Sequence, residues 1–317
     1  MINRKQQIEI AAGSAIEKRA AFEPITNGTS SYTKAKPLPI DNIDLHVGYN
    51  INMSTPYVNQ IMSLFKEREV ELQKLVDPRN AVYQDCVRDI VHTRTLLVEW
   101  MNKLTKKMGC PNETIYLAVQ TFDRFLHTYH FTNTEQMQVA TLASFYIACK
   151  LEDTYAPSLR TLISYVGQAI SKEQVRAMEL TILAELDWSF FYATPIVFLR
   201  VFSQVDQLND RQRYFAFFLA ELALYNQSMN LYTSSQVAAA SISLAKKCFR
   251  AQIRWTPELA NASGLEKDDF NECYQQLVHI LTRATRDKYE GIFAKYDDPR
   301  YHNVTSLIVK MLSLSPR

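Results

Sequence analysis

The stretch that decides the fold is VATLASFYIACK, residues Val139 to Lys150. No charged residue occurs between Gln136 and Cys149, and small side chains alternate with bulky ones along the run. A helix that is apolar on nearly all sides is buried inside a protein. It is too short to cross a bilayer, which needs about 20 apolar residues. The stretch therefore predicts the central helix of a helical domain.

A second stretch, VAAASISLAKK at Val237 to Lys247, repeats this pattern. Each stretch follows a capping signal, in which a short polar residue stands three positions before a Gln. With a shift of 97 positions, the matching residues are Ala143, Ser144, Ala148 and Lys150 against Ala240, Ser241, Ala245 and Lys247. The repeat predicts two copies of one all-helical unit.

The composition agrees with a helical protein of two domains. The chain has 317 residues, 47% of them hydrophobic, and 7 glycines, which favours helices over turn-rich β structure. The net charge of +2 gives no bulk attraction to nucleic acid or membranes. The five cysteines lack C-x-x-C spacing and no signal peptide is evident, so we expect a reducing, intracellular setting. The six histidines show no paired ligand spacing, so we expect no metal site.

Three charged residues lie where apolar side chains are expected. Asp123 falls among apolar residues of one predicted helix, where an unpaired acid would be costly. At 100° per residue, Lys150 lies on the apolar face of its helix, and Glu179 lies in the middle of the apolar face of a later helix. Two interpretations of Lys150 and Glu179 remain open. They form a buried internal ion pair, or they emerge through apolar surface to clamp a partner.

Several motifs together match one known family. They are Arg94-x-x-Leu97-x-x-Trp100-Met101, ETIYLAV, Phe122-Asp123-Arg124-Phe125-Leu126, Ala148-Cys149-Lys150-Leu151-Glu152-Asp153 and Val175-x-x-Met178-Glu179. On these motifs residues 57–190 resemble the cyclins, and most closely the A/B-type mitotic cyclins. The second copy, about 193–287, matches more loosely through FLAELALYN and VAAASISLAKK. Cys149 departs from the family pattern, because Ser is commoner at that position.

The resemblance implies an all-α fold of two tandem five-helix cyclin boxes preceded by an N-terminal helix. We expect a mostly disordered N-terminal tail at 1–55, the N-terminal helix with the first box at 56–190, the second box at 191–290 and a C-terminal tail at 291–317. The polar, aperiodic composition of residues 1–55 predicts the disorder. Thr55-Pro56 has the form of a helix start, with proline at the first helical position.

The resemblance also implies a regulatory subunit that binds and activates a cyclin-dependent Ser/Thr kinase in the cell cycle. Such a subunit acts in the nucleus and cytoplasm and uses no cofactor. Lys150 and Glu179 would contact the mobile regulatory helix of the kinase, with further contacts from Leu151, Glu152, Leu183, Trp188 and Phe190. Arg94 and Asp123 would form the internal salt bridge of the family, which supplies the buried acid with a partner.

A groove on the first helix of the first box is a second implied surface. In the family it holds short Arg-x-Leu motifs of kinase substrates or inhibitors, and the matching positions here are Leu96, Leu97, Trp100, Met137 and Gln138. Thr93 replaces a usual Met, and Lys103 replaces a usual acid that would attract the Arg of the motif. The alternative is a packed helix face without a docking role.

Other functions fit a helical repeat less well. A transcription-associated cyclin would usually lack the N-terminal helix YVNQIMSLFKEREV, and a cyclin-box scaffold of the transcription machinery would carry a basic face and often a zinc ribbon. The sequence contains no Gly-rich phosphate loop, H-E-x-x-H or Asp-rich metal motif, as an all-α enzyme would need. We therefore expect a kinase regulator without enzymatic activity, direct nucleic-acid binding or membrane binding. The alternative is a transcription-associated cyclin or scaffold.

Overall fold

The computed structural model describes residues 58–77, 90–166 and 170–308. The predicted tail at 1–55 and the Thr55-Pro56 helix start lie outside these ranges. One helix, α1 (Val58–Val76), precedes a first unit of five helices. These are α2 (Ile90–Met108), α3 (Asn112–Thr128), α4 (Thr134–Glu152), α5 (Leu159–Val166) and α6 (Lys172–Glu185).

A second unit of five helices follows, and a short helix comes after it. The helices are α7 (Pro195–Val205), α8 (Asp210–Ala223), α9 (Ser234–Cys248), α10 (Pro257–Ser263) and α11 (Asn271–Thr282), and then α12 (Glu290–Tyr296). No strand occurs in the described ranges. The predicted all-α fold of two tandem five-helix units after an N-terminal helix is confirmed.

Helices α4 and α9 are the central helices of the two units, as their sequences predict. Helix α4 packs against α2, α3 and α6, and α9 packs against α7, α8 and α11. Nearly every residue of both repeated stretches is buried, including Phe145, which is completely enclosed. Asn133 Oδ1 accepts from Gln136 N at 2.9 Å at the start of α4. Thr233 and Gln236 form a reciprocal capping box at the start of α9.

Helix α1 finds its partner surface on both units. It packs against α3, against α9 and against the 3-10 helix Gln227–Leu231. Its buried Glu69 accepts from Ser235 N and Oγ, both at 2.7 Å, in the first turn of α9. Burial raises the pKa of the Glu69 carboxyl, while the hydrogen bonds from Ser235 oppose that rise. A carboxylate is favourable at a helix N-terminus, so Glu69 attaches α1 to the second unit.

The C-terminal segment packs onto both units as well. Helix α12 contacts α2 and α8. Lys295 Nζ lies 2.7 Å from Glu221 Oε2, and Asn102 Nδ2 donates to Glu221 Oε1 at 2.5 Å. Glu221 is completely buried, so these bonds hold α2, α8 and α12 together inside the molecule. The domain boundaries stay predictions, but the described part of the predicted C-terminal tail belongs to the packed fold.

Candidate functional site

Lys150 and Glu179 form an ion pair at the surface of the first unit. Lys150 lies in the last turn of α4 and Glu179 lies on α6, and Lys150 Nζ pairs with Glu179 Oε1. Their side chains are 37% and 17% exposed. Lys150 Nζ also lies 4.5 Å from the centre of the Tyr146 ring. The residues pair internally, as one interpretation requires, and yet they stay accessible to a partner, as the other requires.

Exposed apolar side chains occur on the same two helices and just beyond them. Leu151 follows Lys150 directly and is 55% exposed, and Trp188 follows the end of α6 and is 61% exposed. Leu183 and Phe190 are half-buried. Large apolar side chains grouped with a few polar ones are typical of a protein–protein interaction site. All four residues are predicted to contact a partner, and none of them is fully buried in the core.

The backbone after α6 takes a conformation that the sequence does not announce. Asp187 and Trp188 have φ angles of 48° and 57°, in the left-handed region, although neither is glycine. Trp188 N donates to Leu183 O at 3.0 Å and closes the turn. A left-handed conformation costs a side-chain-bearing residue roughly 1–2 kcal/mol. The fold therefore supports an unfavourable turn at the point where the exposed Trp188 is presented.

Arg124 contacts the segment that follows the left-handed turn, and the sequence patterns did not identify it as a site residue. Its Nη1 donates to Ser189 O, and its guanidinium lies 4.6 Å from the centre of the Tyr192 ring. Burial lowers the pKa of the Arg124 guanidinium. The residue follows Asp123 in the motif on α3, so one motif supplies both the acid of the internal salt bridge and a hydrogen bond to the segment after Trp188. Its position beside a motif acid was the signal available in the sequence.

The carboxyl group of Glu152, two positions after Lys150, has other acidic groups near it. Partial burial of its carboxyl raises the pKa of Glu152, and the negative charges of Glu113 and Asp153 raise it further. Arg200, which forms an ion pair with Glu113, opposes the shift. A cationic group of a partner placed here would stabilise the ionised carboxylate.

The predicted salt bridge between Arg94 and Asp123 is present and fully enclosed. Arg94 Nε and Nη2 donate to the two carboxylate oxygens at 2.6 and 2.7 Å. Two further bonds reach the second unit, from Arg94 Nη1 to Leu224 O and from Asn230 Nδ2 to Asp123 Oδ2, both at 2.9 Å. The pair therefore joins α2 to α3 and also joins the two units.

A cavity lies where the docking groove is predicted, and one of the assigned residues does not line it. A cavity of about 280 Å³ is lined by Leu96, Leu97, Trp100, Gln138, Val166 and Ile170. Met137, which the resemblance assigned to the groove, is completely buried and does not line it. Lys103 lies one helical turn beyond Trp100, and its Nζ is 2.6 Å from Glu290 Oε2 and 3.6 Å from Glu99 Oε1. The hydrogen bond to Glu290 raises the pKa of Lys103.

None of the helices in the described ranges combines the length and the apolarity that a membrane span requires.

Comparisons with known proteins agree with this architecture. Residues 60–190 match the family "Cyclin, N-terminal domain", and residues 193–310 match "Cyclin, C-terminal domain". The G2/mitotic-specific cyclin-B of Marthasterias glacialis is 25% identical over 84% of this chain and 68% of that protein. Cyclin-B2-4 of Arabidopsis thaliana is 25% identical over 87% of this chain and 62% of that protein.

The chain thus spans about two thirds of the length of these curated relatives. A viral cyclin from herpesvirus saimiri has a similar fold, with a TM-score of 0.61 at 18% identity over 75% of this chain and 100% of that chain. The two family matches cover both five-helix units, from the first turn of α1 to the end of the described residues. The chain belongs to the cyclin family.

Proposed function

We propose that this chain is the regulatory subunit of a cyclin-dependent Ser/Thr kinase and controls cell-cycle progression. Membership of the cyclin family and similarity to G2/mitotic cyclins support this function. The observation that carries it is the accessible Lys150–Glu179 pair, with the exposed Leu151 and Trp188 close to it in the chain. Such an arrangement combines hydrogen-bonding anchors with apolar contact area, which is typical of interaction hot spots.

The pair can grip a helix end without chemistry of its own. The Lys150 ammonium has three donors, so the bond to Glu179 leaves others for backbone carbonyls of the kinase. The Glu179 carboxylate has several acceptor sites and can receive backbone amides in addition to Lys150. Because each anchor already holds the other in place, less side-chain freedom is lost when the kinase binds.

Activation follows from the two states of a kinase regulatory helix. A kinase is competent when its catalytic Lys pairs with the Glu of that helix and its activation loop is in place. A subunit that binds the inward state better than the outward state shifts the population toward activity, by no more than its differential affinity. The proposal therefore requires Lys150 and Glu179 to bind the inward state preferentially.

The proposal has further parts that concern partners and location. The chain itself catalyses no reaction, and its groove at Leu96, Leu97, Trp100 and Gln138 recruits substrates or inhibitors of the kinase. It works in the nucleus and cytoplasm without direct contact with nucleic acid or membranes. A fluorescent fusion followed through the cell cycle tests the location.

Reconstitution tests the main proposal. The full chain is mixed with each cyclin-dependent kinase of its source, and phosphorylation of a histone-type Ser/Thr substrate is measured. One mixture should gain activity, and Lys150→Ala should reduce that gain. Lys247→Ala is the matched control, because Lys247 occupies the same repeat position in the second unit and is exposed on α9. Activity in the chain alone, or no gain with any of these kinases, would contradict the proposal.

A further inference from the structure

Two cysteines and an aspartate meet where α2 ends and α4 ends. Cys110 lies in the short connection from α2 to α3, Cys149 lies in the last turn of α4, and Asp153 follows α4. The two sulfur atoms are 3.8 Å apart. Both sulfurs and a carboxylate oxygen of Asp153 lie within 4.8 Å of one another. This is the cluster of metal-ligating side chains that stands out in the described ranges, and neither the kinase-binding surface nor the groove uses it.

We propose that Cys110, Cys149 and Asp153 bind one zinc ion or a similar soft divalent cation. In a tetrahedral zinc site with Zn–S bonds of about 2.3 Å, two sulfurs lie about 3.8 Å apart. The sulfurs therefore already have the spacing of two ligands on one ion. A sulfur and a carboxylate oxygen on the same ion lie about 3.5 Å apart, so the Asp153 carboxylate has to move inward by about 1.5 Å at most. This proposal differs from the expectation, drawn from the histidine spacing, that the chain holds no metal site.

The surroundings hold the three ligands in place. Thr114 Oγ1, which is completely buried, donates to Asp153 Oδ1 at 2.9 Å. Asp153 N donates to Cys149 O at 3.0 Å, and Cys110 N donates to Thr105 O at 3.1 Å. A hydrogen bond that orients a ligating carboxylate is a regular part of metal sites. Cys149 is buried while Cys110 and Asp153 are half-buried, so an ion can reach the site from solvent.

Binding releases the two thiol protons to solvent and places two thiolates and one carboxylate on the ion. Three protein ligands leave a fourth position for water or for a donor from another molecule. The ion would link the α2–α3 connection to the last turn of α4, where Cys149 directly precedes Lys150. The inference does not depend on the proposed kinase function, because it rests on the ligand geometry alone.

A disulfide between Cys110 and Cys149 is the rival reading of the same contact. The two sulfurs are 3.8 Å apart. A disulfide would have to bring them to about 2.05 Å, whereas two ligands on one zinc ion keep about the observed distance. A disulfide also needs an oxidant, while an ion needs only to displace the two thiol protons. The geometry therefore favours the ion over the disulfide.

Cobalt(II) titration of the purified full chain under a thiol-free reductant tests the site. We expect thiolate-to-cobalt absorption that saturates at one ion per chain and is removed by added zinc. Cys110→Ser and Cys149→Ser should each abolish this one-ion signal, while Cys248→Ser, another half-buried thiol, should leave it unchanged. Thr114→Val keeps all three ligands, and it should weaken cobalt binding by about 10- to 100-fold.

Circular dichroism of each variant separates loss of ligands from loss of fold, and Thr114→Val gives an independent readout if a cysteine variant does not fold. Absence of thiolate–cobalt absorption in the wild-type chain would overturn the proposal. An equal signal in Cys149→Ser would also overturn it. So would a mass lower by two hydrogens after exposure to air that is lost in Cys110→Ser, combined with no cobalt binding by the reduced chain.

Discussion

Two ion pairs of the first unit have the same separation along the chain and opposite environments. Arg94 and Asp123 are 29 residues apart and join α2 to α3, while Lys150 and Glu179 are 29 residues apart and join α4 to α6. The side chains of the first pair are 1% and 4% exposed, and those of the second are 37% and 17% exposed. The first pair also bonds to the second unit, whereas the second pair lies at the surface beside the Tyr146 ring.

The difference separates charges that hold the fold from charges that are open to a partner. Two buried charges lose their hydration, so each depends on the other and on neighbouring hydrogen bonds. A pair near the surface keeps part of its hydration, and the attraction between the two charges is correspondingly weak. Removal of the Arg94 charge should therefore lower the stability of the chain. Removal of the Lys150 charge should lower its affinity for the partner.

The largest effect is expected from Arg94→Ala. This change leaves Asp123 buried without its cation and also removes the bond to Leu224 O in the second unit. We expect the free energy of unfolding to fall by about 3–5 kcal/mol, as for other broken buried pairs. Denaturant unfolding of the purified chain measures it, with Lys150→Ala as the matched control. Equal stability of Arg94→Ala and wild type would remove the distinction between the two pairs.

Lys295→Ala tests a second buried pair and the role of the C-terminal segment. It leaves the Glu221 carboxylate completely enclosed, with Asn102 and Tyr296 as its remaining hydrogen-bond donors. We expect a loss of about 3 kcal/mol in the free energy of unfolding. Deletion of residues 290–317 should destabilise the chain at least as much. If the deleted chain melts like wild type, α12 is dispensable for the stability of the fold.

Helical periodicity identified charged residues on apolar helix faces, but it did not identify all of their partners. Spacing alone placed Lys150 and Glu179 on apolar faces, and an acid among apolar residues indicated that Asp123 needs a cation. Glu221 lies in the apolar run FLAELAL and carries the same signal of a buried acid that needs a cation. Its partner Lys295 is 74 residues away, on a segment interpreted as a tail. Contacts between the two units depend on how the helices pack, and periodicity within one helix does not report that packing.

The cysteine cluster illustrates the same limit. Cys110 and Cys149 are 39 residues apart, so no short spacing motif brings them together. The packing of α4 against α2 and α3 places them side by side. The left-handed turn at Asp187 and Trp188 was also missed, because neither glycine nor asparagine marks it. By contrast, the fold class could be predicted without long-range information, because the apolar periodicity of each buried helix is visible within its own stretch of sequence.

Kinase affinity is the property that should respond to the surface pair. Lys150→Ala and Glu179→Ala should each weaken binding to the kinase by about 2 kcal/mol, the range of an interface hot spot. The free chain should lose no more than about 1 kcal/mol of stability, because the pair is partly exposed. Calorimetric binding and thermal unfolding on the same preparations give both values.

The double variant sharpens this prediction. If both residues hold one helix end of the kinase, Lys150→Ala with Glu179→Ala should lose less affinity than the sum of the single changes. Lys247→Ala again controls for the removal of an exposed lysine. A large loss of stability with unchanged kinase binding would mean that Lys150 and Glu179 serve the fold, like Arg94 and Asp123.

The smallest effect is expected at Lys103 and Glu290, whose side chains are 49% and 71% exposed. Lys103 stands where an acid would attract the Arg of a docking motif, but it is already held by Glu290 and by Glu99. Lys103→Glu should therefore strengthen binding of an Arg-x-Leu peptide by about 1 kcal/mol, because it removes a cation and adds an acid beside two others. Glu290→Ala should act in the opposite direction, since it frees the charge of Lys103. The effects of both substitutions on peptide affinity should diminish at high salt, as expected for exposed charges. Fluorescence anisotropy with a labelled peptide measures them, and a peptide that binds wild type tightly but ignores both substitutions would show that Lys103 does not control the groove.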